Sequence, residues 1–273
     1  MDLAGLGPSY AGVALTLLFV GIGLAEQAWP AWHPVAPAGR RWIANVGLYA
    51  CCQGLSLALL PWLTVAAMAT FVFVPRPGAA PDPGWAVIHV VTIVLALDLV
   101  YYLLHRLFHA SATLWRLHAI HHTDLDLDVT STLRHHPLEV VPMVAVAAMF
   151  SATIGATPGE IAGYGVLAFG VQMLAHANLN LPRRLDAALG WVIVTPAFHR
   201  THHSRDEREC HANYGEVFVF WDRLFGSGAR VSPSAPAAFG VAAYLAPRFQ
   251  HFGWMVLQPA LRRPSGPGHS DRV

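Results

Sequence analysis

The chain has 273 residues, 55% of them hydrophobic and 12% charged, with a mean hydropathy of +0.43. A soluble domain carries about 25% charge, so this composition excludes an ordinary soluble protein and fits an integral membrane one. The net charge of +1 gives no case for nucleic-acid binding, and three cysteines (Cys51, Cys52 and Cys210) make neither a disulfide framework nor a Cys-x-x-Cys metal motif.

In chain order, the run from about Ala11 to Trp29 reads as a first membrane helix, because no basic segment of a cleaved signal precedes it. Glu26 falls near its end, where a carboxylate can reach water. Arg40-Arg41 then leads into an apolar stretch from Trp42 to Val74, longer than the roughly 20 residues a span needs. Pro61 interrupts it, leaving one long tilted helix or a span followed by a shallower piece. Cys51 and Cys52 lie within it as expected core residues. Arg76 to Gly84 is a turn-rich loop, and Trp85 to Leu104 is another span. Leu138 to Ile154 and Ile161 to Leu174, around Thr157-Pro158-Gly159, predict a helical hairpin, spanning or re-entrant. From Arg183 to Arg230 the chain is polar enough to lie outside the bilayer, and the tail after Pro264 is expected to be disordered.

The expected fold is therefore an all-α integral membrane protein. It has about four to six membrane helices or re-entrant segments under a cytoplasmic, histidine-rich helical cap. Residues 1–84 supply N-terminal membrane helices, 85–230 a catalytic unit of membrane helices and cap, and 231–273 a partly disordered C-terminal segment. The arginines, among them Arg40, Arg41, Arg106, Arg116, Arg134, Arg183, Arg184, Arg200, Arg205 and Arg208, flank one side if the spans alternate. The positive-inside rule places that side in the cytoplasm.

Twelve of the 16 histidines lie between His105 and His211. Eight fall into three groups: His105-Arg-Leu-Phe-His109, His118-Ala-Ile-His121-His122 and His199-Arg-Thr-His202-His203. In helices, spacings of three and four place side chains on one face, and Pro196 can start the helix of the third group. Eight imidazoles exceed what one tetrahedral zinc site takes and suit two adjacent metal ions with open positions. Nitrogen-rich donor sets suit Fe, Cu, Zn or Ni.

His176 ends an apolar segment ahead of the third group and is a candidate ninth ligand. Gln172, one turn earlier on the same face, is a candidate through water, and His136 is a candidate ligand or supporting donor. Metal-bound imidazoles give their second N–H to carboxylates or carbonyls. The acids near the clusters in sequence are Asp98, Asp124, Asp126, Asp128, Glu139, Asp206 and Asp222. Asp98 stands out, because an acid within an apolar run needs a partner, and two turns of helix separate it from His105 on the same face.

These residues resemble the fatty acid hydroxylase superfamily, in its sterol desaturase-like branch. The resemblance runs from Asp98 to Gly228. It is carried by Asp98-x-x-Tyr-Tyr-x-x-His-Arg-x-x-His, Leu-Trp-Arg-x-His-x-x-His-His-Thr, Leu-Arg-His-His-Pro-Leu-Glu, His-Ala-Asn, Thr-Pro-x-x-His-Arg-x-His-His-Ser and Asn213-Tyr-Gly-x-x-x-x-x-Trp-Asp-Arg-Leu-Phe-Gly226. It implies a membrane-embedded, mostly helical non-haem di-iron enzyme that uses O2 and external electrons to hydroxylate or desaturate lipids. By the same resemblance the three clusters bind the metals, while Asn213, Tyr214 and Trp221-Asp222-Arg223 pack beneath them. Two departures are the doubled His135-His136, where only the residue before Pro is expected, and Cys210-His211 ahead of Asn-Tyr-Gly.

The expected function is an O2-dependent lipid hydroxylase or desaturase with two Fe ions, which zinc can replace on purification. O2 is the co-substrate and a long apolar membrane lipid, sterol-like or acyl, the substrate. No dinucleotide fingerprint appears, so a separate ferredoxin- or cytochrome-type carrier and its reductase are implied. Arg200, Arg205 and Arg208 could dock an acidic carrier or contact phosphate headgroups. The alternative is a zinc-dependent membrane hydrolase or a metal-binding membrane protein. The absence of His-Glu-x-x-His argues against a hydrolase. Clusters at helix ends, away from mid-membrane depth, argue against a metal transporter.

Overall fold

The structure, a computed structural model, describes residues 8–35, 37–70, 83–154, 156–229 and 238–261. The expected loop from Arg76 to Gly84 falls almost wholly outside them, as does the tail after Pro264. Among the described residues the secondary structure is helical, with isolated bridges at Ile193–Phe218 and Ser204–Phe239.

Three helices among the described residues are long and apolar enough to cross a membrane: α1 (Pro8–Ala28), α2 (Ala38–Thr70) and α3 (Pro83–Ala110). Their outward faces expose Leu17, Leu24, Ile43, Leu57 and Val87, as helices facing lipid do. Pro61 sits inside α2, which continues as one helix. Cys52 is buried, but Cys51 is exposed on the outer face of α2, contrary to the expectation of two core residues. A helix turns adjacent residues about 100° apart, and here that turn carries Cys51 onto the outer face.

α3 runs past its apolar part and carries His105 and His109 in its last turns. Ser111 then caps α4 (Ala112–His122), accepting a hydrogen bond from Leu114 N. Two 3₁₀ turns, Val129–Leu133 and Pro137–Glu139, lead into α5 (Val140–Ile154). α6 (Pro158–His176) starts with a full capping box, in which Thr157 accepts from Glu160 N and Glu160 answers Thr157 N. α5 packs on α2 and α3, and α6 on α1, α3 and the cap, so the hairpin closes a bundle. The cap continues with α7 (Arg183–Leu189), α8 (Pro196–His202), α9 (Glu207–Cys210) and α10 (Phe220–Leu224), and α11 (Phe252–Leu257) returns to α2. Pro196 starts α8 as the sequence predicts, behind a cap at Thr195.

A buried polar layer joins bundle to cap. Arg41 pairs with Asp124 at 2.6 Å and with Asp128 at 3.0 Å. Arg134 donates to Ile120 O, Asn45 Oδ1, Thr123 Oγ1 and Gln250 Oε1. Both guanidinium groups are therefore spent inside the fold, while Arg40, Arg116, Arg183, Arg184, Arg205 and Arg208 are exposed. Glu26 does not reach water: it is 5% exposed and accepts Val129 N and Asn178 N. Two unpaired backbone donors near the end of α1 supply what solvent would have.

Candidate metal centre

α3, α4, α6 and α8 each deliver imidazoles to one buried space. His105, His109, His118, His122 and His202 form one group, and His121, His176, His199 and His203 a second; within each, the ligating atoms lie within 4.8 Å of one another. Helical geometry explains part of the sorting. Pairs four residues apart (105/109, 118/122 and 199/203) stay on one face and in one group. His121 and His202 are turned about 100° from their neighbours and cross into the opposite group.

The rings are set by their outer nitrogens. Nδ1 donates to a carbonyl in His105 (Tyr214 O, 3.0 Å), His121 (Arg134 O, 3.2 Å), His176 (Gln172 O, 2.8 Å) and His202 (Ala212 O, 2.7 Å). His118 Nδ1 lies 2.8 Å from the buried carboxylate of Glu139. Because a carbonyl only accepts, each Nδ1 must carry the proton, which leaves Nε2 as a lone pair. Burial pushes the imidazoles of His121, His122, His199, His202 and His203 well below their ordinary range, and neighbouring imidazoles add to this. They stay neutral, the form that ligates.

Those lone pairs face each other. His176 Nε2 lies 3.1 Å from His121 Nε2 and 3.0 Å from His199 Nε2, and His199 Nε2 lies 3.1 Å from His203 Nε2. The His121–His176 pair has no proton to share, so the contact repels unless a cation lies among the rings. In the other group, His105 Nε2, His202 Nε2 and both nitrogens of His109 are buried with no hydrogen-bond partner. Nitrogens about 2.1 Å from a common ion, about 90–110° apart, stand about 3.0–3.4 Å from each other. The four-membered set fits a metal ion by this measure, and in the five-membered set His118 Nε2 and His122 Nε2, 3.3 Å apart, meet it as well.

The remaining sequence candidates serve the centre indirectly. His136 stands apart: Nδ1 accepts Leu138 N, capping the second 3₁₀ turn, and Nε2 meets Val256 O at 3.0 Å. Its neighbour His135, one of the two departures, is the one that faces the site. It stacks on His121 with centroids 4.4 Å apart and reaches Glu139 at 3.1 Å. Gln172 uses its side chain on Glu216 O at 2.6 Å and its carbonyl on His176.

Asp98 shares a helical face with His105, which predicts that it orients an imidazole, but it does not. It accepts Tyr164 Oη, Val217 N, Phe218 N and Trp221 Nε1, tying α3 to α6 and the segment after Gly215. Sequence separation along one helix could not reveal donors more than a hundred residues away. Asp222 accepts Tyr214 N, Gly215 N and Ser227 Oγ. Asn213, in the left-handed region at φ 59°, donates to Phe198 O and accepts Ala229 N. Together they fix the Tyr214 carbonyl that holds His105. Arg200 is buried over Trp32 and bonded to Asn180, so it cannot dock a carrier.

A cavity of about 330 Å³ lies between α2, α3, α5 and α6. Leu97, Leu104, Phe108, Met143, Ile161 and Phe169 line its membrane side, and His105 and His118 of one group and His121, His176 and His199 of the other close its cap end.

The sequence profile of the family described as fatty acid hydroxylase matches residues 90–227. An ornithine lipid hydroxylase of Rhizobium tropici is 31% identical over 160 residues, 56% of this chain and 47% of that protein. An alkylglycerol monooxygenase of Caenorhabditis elegans is 29% identical over 146 residues, 53% of this chain and 28% of that protein. A very-long-chain aldehyde decarbonylase of Oryza sativa is 29% identical over 163 residues, 55% and 25% of the two chains. The aligned part thus spans less than half the length of these curated relatives. No solved structure matches the chain.

Proposed function

The chain belongs to the fatty acid hydroxylase family, and on that premise we propose that it is an O2-dependent, non-haem di-iron hydroxylase or desaturase of membrane lipids. The observation that carries this reading is the apolar cavity ending on both histidine groups. His105, His109, His118, His122 and His202 would hold one iron, and His121, His176, His199 and His203 the other. When bound, the irons supply the activation of O2 that side chains cannot.

The chain's own part is positioning and exclusion. Tyr214, Arg134, Gln172 and Ala212 carbonyls and the Glu139 carboxylate hold five of the nine imidazoles, His105, His121, His176, His202 and His118, with Nε2 inward, which reduces the reorganisation that metal loading requires. The buried cap keeps water from the site. The cavity walls are transmembrane side chains, so an apolar substrate enters from lipid and lies with one segment against the imidazoles. This supports a sterol-like or acyl lipid substrate, as the names of the lipid-acting relatives do. Electrons would come from a separate carrier of the ferredoxin or cytochrome type, and the exposed arginines support a cytoplasmic cap by the positive-inside rule.

The test is anaerobic purification from iron-supplemented cells, followed by metal analysis and addition of reductant, O2 and the host's lipid extract. Two irons per chain should accompany O2 uptake and a lipid that gains one oxygen atom or loses two hydrogens. Iron-loaded protein that consumes no O2 with any lipid fraction would overturn the reading, and hydrolysis products in its place would establish the zinc-hydrolase alternative.

A further inference from the structure

Sequence reasoning passed over Glu216, yet the fold spends several buried groups on placing it. Gly215 N is held by Asp222 Oδ2 at 2.8 Å, Glu216 O by Gln172 Nε2 at 2.6 Å, and Val217 N by Asp98 Oδ1 at 3.0 Å. Gly215 permits the close approach: a Cβ there would stand 2.7 Å from Phe218 O and 3.2 Å from Asp222 Oδ2. The three side chains come from α10, α6 and α3, so the backbone of Glu216 is fixed relative to two of the cavity's four walls, α3 and α6.

The Glu216 side chain lines the cavity, retains 25% of its exposure and sets Oε1 3.3 Å from His105 Nδ1. That proton is already accepted by Tyr214 O at 3.0 Å, so His105 does not require a second acceptor. Apart from His105, the cavity that Glu216 shares includes Leu97, Tyr101, Leu104, Tyr164 and Ala168 in its lining. A carboxylate facing such a space is costly unless a donor meets it. A hydrocarbon chain brings no donor.

The geometry points to Glu216 as a specificity-determining residue that accepts a hydrogen bond from an ammonium or hydroxyl group of the lipid, beside the carbon presented to the histidine groups. The substrate class is then a lipid whose polar, donor-bearing part enters the cavity with its chain. This rests on the cavity being the substrate site, and it does not depend on the O2 chemistry.

The test uses zinc-loaded protein in detergent micelles and three probes of similar length: hexadecylamine, hexadecan-1-ol and 1-methoxyhexadecane. Dissociation constants are measured for the wild type, Glu216→Gln and Glu216→Leu, with zinc per chain determined for each. The wild type should bind the amine and the alcohol at least about tenfold more tightly than the ether, the effect of one hydrogen bond to a charged group. Glu216→Leu should bind all three alike. Glu216→Gln should keep part of the preference for the alcohol and lose most of that for the amine. Equal binding of the ether by the wild type, or discrimination that survives in Glu216→Leu, would overturn the proposal. So would loss of zinc in both variants, since Glu216 would then serve His105. If discrimination holds and no lipid is oxidised in the O2 assay, the oxidation reading fails and this one stands.

Discussion

Replacing Glu139 with Gln tests whether the two histidine groups are separate metal sites held by different parts of the fold. Glu139 is 1% exposed, and its Oε1 meets His118 Nδ1 at 2.8 Å and His135 Nδ1 at 3.1 Å. Burial by itself would raise its pKa, but the two imidazoles outweigh burial and hold it well below the usual carboxylate range. The group is therefore an anion at neutral pH. Gln keeps the shape and one acceptor, removes the charge, and puts an NH2 where Oε2 is buried without a partner. Loss of such a support costs about 10–100-fold in metal affinity, or about 1.4–2.8 kcal/mol. His118 belongs to the five-membered group, so the loss should fall there; the four-membered group meets this support through ring contacts of His121 with His135 and His118, centroids 4.4 and 5.4 Å apart. Chelator titration with metal counted per chain is the assay. The wild type should hold both metals, and Glu139→Gln should release one at a chelator concentration about 10–100-fold lower. Adding His176→Ala, which damages the other group, identifies the site by making the second metal labile as well. Unchanged release from Glu139→Gln, or both metals leaving together, would refute the reasoning.

His176→Ala alone should leave one metal per chain, whereas His136→Ala, which loses only a cap and a carbonyl contact, should keep both; metal analysis of the two proteins decides. Asp98→Asn should retain both metals and lose stability by roughly 2 kcal/mol, because a buried acceptor of four donors loses its charge; thermal melts beside metal counts check this, and metal loss at unchanged stability would contradict it. Asp124 is pushed up by burial and more strongly down by Arg41 and Arg134, so its folded pKa lies below the ordinary 3.8. Its contribution is complete above about pH 4 and lost as pH falls through the folded value. Asp124→Asn should therefore melt lower than wild type at pH 7, with the gap narrowing below about pH 4 in a pH series of melts.

The sequence alone determined the membrane class, the spans and the identity of the ligand candidates, because these depend on composition and on spacing along one helix. An apolar run long enough to span needs no partner to be recognised, and imidazoles three or four residues apart share a face in any helix. The division of the three-residue pairs 118/121 and 199/202 between opposite groups does not follow from a shared face; the packing of α3, α4, α6 and α8 around the two groups decides it. What the sequence could not decide is which face meets which. Asp98 and His105 share a face of α3, yet Asp98 is claimed by Trp221 and the backbone of Val217 and Phe218, brought to it only by the closed bundle. In His135-His136 the residue before Pro137 was the natural choice, but the turn at Pro137 directs His136 to Val256 and leaves His135 on the site. Glu216 carried no motif signal at all. Its position depends on Asp222, Gln172 and Asp98 converging from three helices, and that convergence exists only once long-range packing has closed the cavity.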